Sequence, residues 1–140
     1  MTSRQAAVNP SDPSRRVLIV DDSIGMRTYM RTILSAVGFR CEEAVDGADA
    51  FQKMLGVHYD LVVTDLEMPH MDGYALLSAI GLLPAAQKAP VVVCSARLDT
   101  GLPIQRPELR LAAKLIEKPV DARVLIGAVN EVLGLTARCA

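Results

Sequence analysis

Tryptophan is absent, and aromatic residues together make up only 4% of the chain. A core must therefore be aliphatic, built from Val, Leu, Ile, Ala and Met. An excess of charge of either sign is also missing: the formal net charge is -1. That leaves no electrostatic footprint for nucleic acid or an anionic membrane. No apolar run approaches the ~20 residues needed to span a bilayer. The N-terminal stretch MTSRQAAVNPSDPSRR has no apolar h-region, so no signal peptide is expected. Cysteines number three, Cys41, Cys94 and Cys139, an odd set without metal-site spacing. A disulfide framework is not expected, and a reduced cytoplasmic setting is. Cys94 lies in an apolar run and reads as core, whereas Cys139 lies on the tail.

What is present suits one folded domain. The 140 residues are 51% apolar and 22% charged, which excludes a disordered chain. Residues 1–15 are polar and carry Pro10 and Pro13, so they read as a tail. The domain is expected over 16–134, with a short second tail over 135–140. No repeat or low-complexity tract interrupts it.

Short apolar runs alternate with amphipathic ones. RVLIVDD (16–22), FRCEEAV (39–45), DLVVTD (60–65) and PVVVCSA (90–96) read as strands, and residues 114–117 as a short fifth. Between the first two strands, Met26, Met30, Ile33 and Val37 mark a helical face, with Ser23 as its cap and Gly38 as its stop. Asp46 and Asp72 are candidate caps of helices over 46–56 and 73–83. Residues 121–134 predict a last helix, with Val124, Leu125, Ala128, Val129 and Val132 on one face and Gly134 as its end. Five such β-α units imply an α/β fold. Its parallel sheet is covered on both faces and doubly wound by right-handed crossovers. The segment from 95 to 114 is the irregular unit. Gly101, Pro103 and Pro107 prevent a continuous helix, so helix 4 is predicted short, about 107–113, after a long loop.

In such sheets ligands bind at the carboxyl ends of the strands. There the first strand gives Asp21 and Asp22, the third Asp65, the fourth Ser95, and the fifth Lys118 followed by Pro119. Clustered carboxylates repel, and burying them is costly unless cations offset the charge. Lys118 offsets one charge, and a hard divalent cation such as Mg²⁺ suits the rest. Carboxylate, metal, ammonium and hydroxyl together suit phosphoryl transfer to an Asp. Asp65 alone would read as a cap or turn residue, and Ser95 as a turn residue. Both readings weaken when five such residues converge on one edge. His70, in the loop after Asp65, reads as a solvated loop residue, and Met68 and Met71 as packing between loop and sheet.

The stretches LIVDDS, VVTDLEMPHMDGY, VVVCSAR and EKP, in that order, resemble the receiver domain of two-component response regulators. The resemblance covers about residues 16–134. It implies a flavodoxin-like sandwich with a five-stranded parallel sheet of order 2-1-3-4-5. It implies Asp65 as phosphoacceptor and Mg²⁺ as cofactor, held by Asp22 and Asp65, by Asp21 through water, and by the backbone carbonyl of Glu67. Lys118 would pair with Asp65 and then with its phosphoryl group. Ser95 would move to bond that group, and the Lys118-Pro119 bond would be cis. The implied partners are a histidine kinase or histidine phosphotransfer protein and a downstream protein target, with neither nucleic acid nor membrane.

Three places depart from the family pattern. Leu115 stands where the family usually carries Tyr or Phe three residues before the Lys. The segment 97–106 is expected to be a mobile or partner-specific surface. Glu67 and Arg97 occupy positions that tune dephosphorylation in the family, and a pair between them would shield the phosphoryl group. With the domain expected to end near 134, the chain reads as a stand-alone receiver, a signalling protein rather than a turnover enzyme. Three other readings stay open. One is a phosphorylation-independent adaptor on the same fold. Another is a haloacid-dehalogenase-type phosphohydrolase, which usually needs Asp-x-Asp on its first strand. The third, a flavin binder, would need a phosphate-binding loop where Asp-Asp-Ser stands.

Overall fold

A computed structural model describes residues 15–96 and 106–135. Five parallel strands form one sheet: β1 Arg16–Val20, β2 Arg40–Ala44, β3 Leu61–Asp65, β4 Val91–Ser95 and β5 Lys114–Glu117. Their order is β2-β1-β3-β4-β5, the order that the receiver resemblance implies. Register is set by pairs such as Val17 with Cys41 and Leu61, and Val93 with Thr64 and Leu115.

The strand sequences follow from their places. β1, β3 and β4 lie inside the sheet and have helices over both faces, so they are apolar on both faces except toward their ends, at Arg16, Thr64, Asp65 and Ser95. β2 is an edge strand and carries charge. Glu42 accepts from the Tyr59 hydroxyl at 2.6 Å, and Glu43 accepts from Arg27 and Arg31. β5 is the other edge and alternates between exposed and covered positions.

Period-two alternation divides the core. Val17, Ile19, Val63, Val92, Cys94 and Ile116 face helices α1 (Ile24–Ala36) and α4 (Ala122–Leu133). Leu18, Val20, Val62 and Val93 face helices α2 (Gly47–Gly56) and α3 (Gly73–Gly81). Cys94 is fully buried, as its apolar run predicts. Each helix starts on a side-chain cap: Ser23 to the Met26 amide, Asp46 to Asp49, Asp72 to Ala75, and Asp121 to Arg123. Gly134 ends α4 at φ 73°, a left-handed position that suits glycine. Leu135, just past that end, is buried in the core.

The predicted fourth helix is only a 3-10 turn, Pro107–Leu111. Pro107 starts it, but Ala112 already returns to extended backbone so that the chain can enter β5 at Lys114. The turn is docked on α3. Leu109 is buried, Leu111 packs at Gly81, and the Arg106 guanidinium lies 3.6 Å from the Tyr74 ring centre. The loop over 97–105, Arg97 and the Glu67–Arg97 pairing lie outside the described residues, as do Cys139 and most of both tails.

Two helix faces differ from the sequence reading. On α1 the buried stripe is Arg27, Met30 and Leu34, with Met26, Ile33 and Val37 beside it. On α4, Val124 is half exposed while Leu125, Ala128 and Val129 are buried. Among the described residues, no helix is long and apolar enough to cross a membrane.

Candidate functional site

The parallel sheet points the carboxyl ends of β1, β3, β4 and β5 to one edge. Asp21 and Asp22 follow β1, Asp65 and Ser95 end β3 and β4, and Lys118 follows β5. The backbone fixes this convergence. The Asp21 amide donates to Ala44 O at 3.2 Å, and the Lys118 amide donates to Ser95 O at 2.9 Å. The Lys118-Pro119 peptide is cis, as expected.

Lys118 Nζ lies 3.3 Å from Asp21 Oδ2 and 3.5 Å from Asp65 Oδ2. One ammonium thus bridges two carboxylates. Asp21 Oδ1 accepts from the Ser23 amide at 2.9 Å, so both oxygens of this buried side chain are held. Asp65 Oδ1 accepts from the Leu66 amide at 2.8 Å, and the Glu67 amide also bonds the Asp65 carboxylate. Ser95 is buried beside them, while Asp22 is exposed at the rim.

Burial pushes the Asp65 carboxyl above its usual range and outweighs the pull of Lys118; Asp21 pushes the same way. Burial alone would pull Lys118 down, but Asp65 and Asp21 together carry it above its ordinary value. The ammonium is therefore firmly charged, and Asp65 is the carboxylate short of positive charge. Burial also pushes the Cys94 thiol up to about 12, which leaves it an inert core residue.

Asp21, Asp22 and Asp65 each offer an oxygen within 4.8 Å of the others. Three carboxylates against one ammonium leave a deficit of positive charge, and the donors are all hard oxygens. That donor set fits a divalent hard cation such as Mg²⁺.

The loop after β3 is packed tightly. The Gly73 amide donates to Leu66 O at 2.8 Å, and a Cβ at Gly73 would collide with the Asp65 carbonyl. Met71 O accepts from the Gly47 amide at 2.8 Å, which ties the loop to α2. Met68 and Met71 pack on the core from this loop, as predicted. His70 is exposed, adopts φ 68°, and places Nδ1 3.4 Å from Asp46 Oδ2. It stands outside the acid cluster.

All five sequence-predicted side chains converge, and Glu67 stands two residues after Asp65 in the loop. Sequence reasoning missed Arg27. Its Nη1 donates to the Asp21 carbonyl at 2.6 Å and its Nε to Glu43 Oε1 at 2.9 Å. The signal was present: Arg27, Met30 and Leu34 share one helical face, and an Arg on an apolar stripe needs a buried partner. Leu115, at the usual aromatic position on β5, is partly exposed.

Comparison with known proteins agrees with this arrangement. Residues 17–130 match the family described as "Response regulator receiver domain". A probable chemotaxis protein CheY of Rhizobium etli is 32% identical over 120 residues, which is 85% of this chain and 92% of that protein. Two longer relatives match over a part only. A gliding motility regulatory protein of Myxococcus xanthus is 37% identical over 66% of this chain and 12% of its own length. A protein-glutamate methylesterase/protein-glutamine glutaminase of Anaeromyxobacter dehalogenans is 38% identical over 74% of this chain and 29% of its own length. The alignments thus span under a third of those two proteins. Among solved structures, a CheY-like receiver domain from Methylobacillus flagellatus superposes with TM-score 0.74 at 26% identity, covering 84% of this chain and 98% of that one. The Vibrio cholerae chemotaxis response regulator CheY4 superposes with TM-score 0.75 at 25% identity, covering the same shares. The chain belongs to the response regulator receiver family of two-component signalling.

Proposed function

We propose that this receiver is a phosphorylation switch with Asp65 as the phosphoacceptor. The donor is a phosphohistidine on a histidine kinase or histidine phosphotransfer protein. An Asp65 carboxylate oxygen attacks phosphorus, the P–N bond breaks, and the imidazole nitrogen leaves with the electron pair and takes up a proton. The observation that carries this reading is the Lys118 ammonium, placed within 3.5 Å of both Asp21 and Asp65 at a sheet edge that also holds Ser95.

Each residue has a role in keeping with its place. Asp65 is held by two backbone amides, so its carboxylate is aimed before the donor arrives. Lys118 follows the charge from the carboxylate to the phosphoryl oxygens. Ser95 offers a hydroxyl to one of those oxygens. Mg²⁺, when bound, would neutralise phosphoryl charge. Its holders would be Asp22 and Asp65 directly, Asp21 through water, and the Glu67 backbone carbonyl. The new charge then biases a two-state equilibrium at the adjacent loop. Output is by protein contact or onward phosphotransfer, in a cytoplasmic setting and without nucleic acid.

Two observations favour a second reading, a phosphorylation-independent adaptor. Leu115 has no ring to turn inward, and a 3-10 turn stands in place of the fourth helix beside it.

The test is incubation with a labelled phosphohistidine protein, with and without a chelator. Label arriving on the chain with Mg²⁺, and absent with chelator or with Asp65→Asn, is expected. Partner binding that is indifferent to the label would favour the adaptor.

A further inference from the structure

Among the described residues, Arg27 is the one buried cation that the proposed chemistry does not use. Its guanidinium sits under the acid cluster, on the core side of α1. Glu43 takes one of the five N–H donors of the guanidinium, its Oε1 accepting from Nε at 2.9 Å. Nη1 is spent on a carbonyl, and a particular one. Asp21 O, at 2.6 Å, belongs to the peptide that joins Asp21 to Asp22.

The peptide on the other side of Asp21 is pinned as well, because its amide donates to Ala44 O. The Asp21 carboxylate is held by the Ser23 amide and by Lys118. Asp22 differs. It is exposed, and its direction follows from the plane of the peptide before it. Arg27 fixes that plane.

We propose that Arg27 is a positioning residue for divalent-cation binding: by holding the Asp21 carbonyl, it aims Asp22 at the site shared with Asp21 and Asp65. This rests on the reading of the acid cluster as a Mg²⁺ site. Charge-assisted bonds to a carbonyl are strong, and partners that orient metal ligands are commonly worth ~10-fold or more in affinity.

The test is calorimetric Mg²⁺ titration of the full chain, well below its melting midpoint. It compares wild type, Arg27→Met and Arg31→Gln. Arg31 donates to the other oxygen of Glu43 at 2.7 Å and does not touch Asp21, so its variant controls for the ion pair and for lost positive charge. The expected result is a Kd raised roughly 10-fold in Arg27→Met and unchanged in Arg31→Gln. An unchanged Kd in Arg27→Met, or an equal rise in both variants, overturns the positioning role while the Mg²⁺ site stands. Failure of wild type to bind Mg²⁺ overturns both. If Arg27→Met does not fold in buffer, the titration is repeated on all three proteins in trimethylamine N-oxide, which favours the compact state, and the same outcomes decide.

Discussion

The ammonium of Lys118 stands 3.5 Å from Oδ2 of Asp65. The same nitrogen holds Asp21 at 3.3 Å, so one cation offsets two buried carboxylates. Replacing it with a neutral chain of similar reach leaves both acids facing each other. Lys118→Met is expected to lose about 2 kcal/mol of stability at pH 7 without divalent cation. In acid, below the raised Asp65 value, the loss shrinks, because the protonated group no longer needs an ammonium. Urea midpoints at pH 7 and in acid check this.

Asp65 itself works against the fold. Its folded pKa lies above the unfolded one, chiefly because of burial, so its contribution is present at low pH. That contribution is lost as pH rises through the folded value. Asp65→Asn removes the buried charge and keeps the shape. The variant is expected to be more stable than wild type at pH 7 without divalent cation, by about 1 kcal/mol, with the gain vanishing in acid. Thermal melts across pH measure the difference. A less stable variant at pH 7 would contradict the electrostatic account.

Glu43 has the opposite sign. The hydrogen bond from Arg31, with that from Arg27, holds its carboxyl below the usual range despite partial burial. Its stabilisation is full above the unfolded pKa and lost as pH falls through the depressed folded value. Glu43→Gln is expected to cost about 1 kcal/mol at pH 7, a modest figure because the side chain is a quarter exposed. Below the folded pKa the two proteins converge. Denaturant midpoints across the acid range test the sign.

Gly73 has no room for a side chain, since a Cβ there would meet the Asp65 carbonyl and the Leu66 Cα. Both are backbone atoms at the site, so relief must come from moving the end of β3 or the start of α3. Gly73→Ala is expected to cost roughly 2–3 kcal/mol. It should also weaken Mg²⁺ binding, because Asp65 moves with its own carbonyl. Gly56→Ala has open space around the new Cβ and serves as the mild control in the same melts.

The parts legible in the sequence share a physical reason. The strands β1, β3 and β4 are apolar on both faces, so their runs stop where the sheet stops, and the next residues are Asp21, Ser95 at the β4 end, and Asp65. Fold and candidate site were therefore read from the same boundaries. What was hidden depends on tertiary partners. Val124 is apolar yet half exposed, because helical spacing cannot tell the rim of a buried stripe from its centre. Pro107 marked a helix start, but the need to enter β5 at Lys114 cut the helix to a 3-10 turn. Arg27 could be read as a buried Arg from its apolar stripe, but its partner could not, because the Asp21 carbonyl has no side-chain signature.

The central claim is that Asp65 accepts a phosphoryl group. The most direct measurement is intact mass after incubation with Mg²⁺ and a small-molecule phosphodonor, wild type beside Asp65→Asn. The account predicts one labile phosphoryl group on wild type and none on the variant. No phosphoryl group on wild type that binds Mg²⁺ tightly, or equal labelling of both proteins, would contradict it.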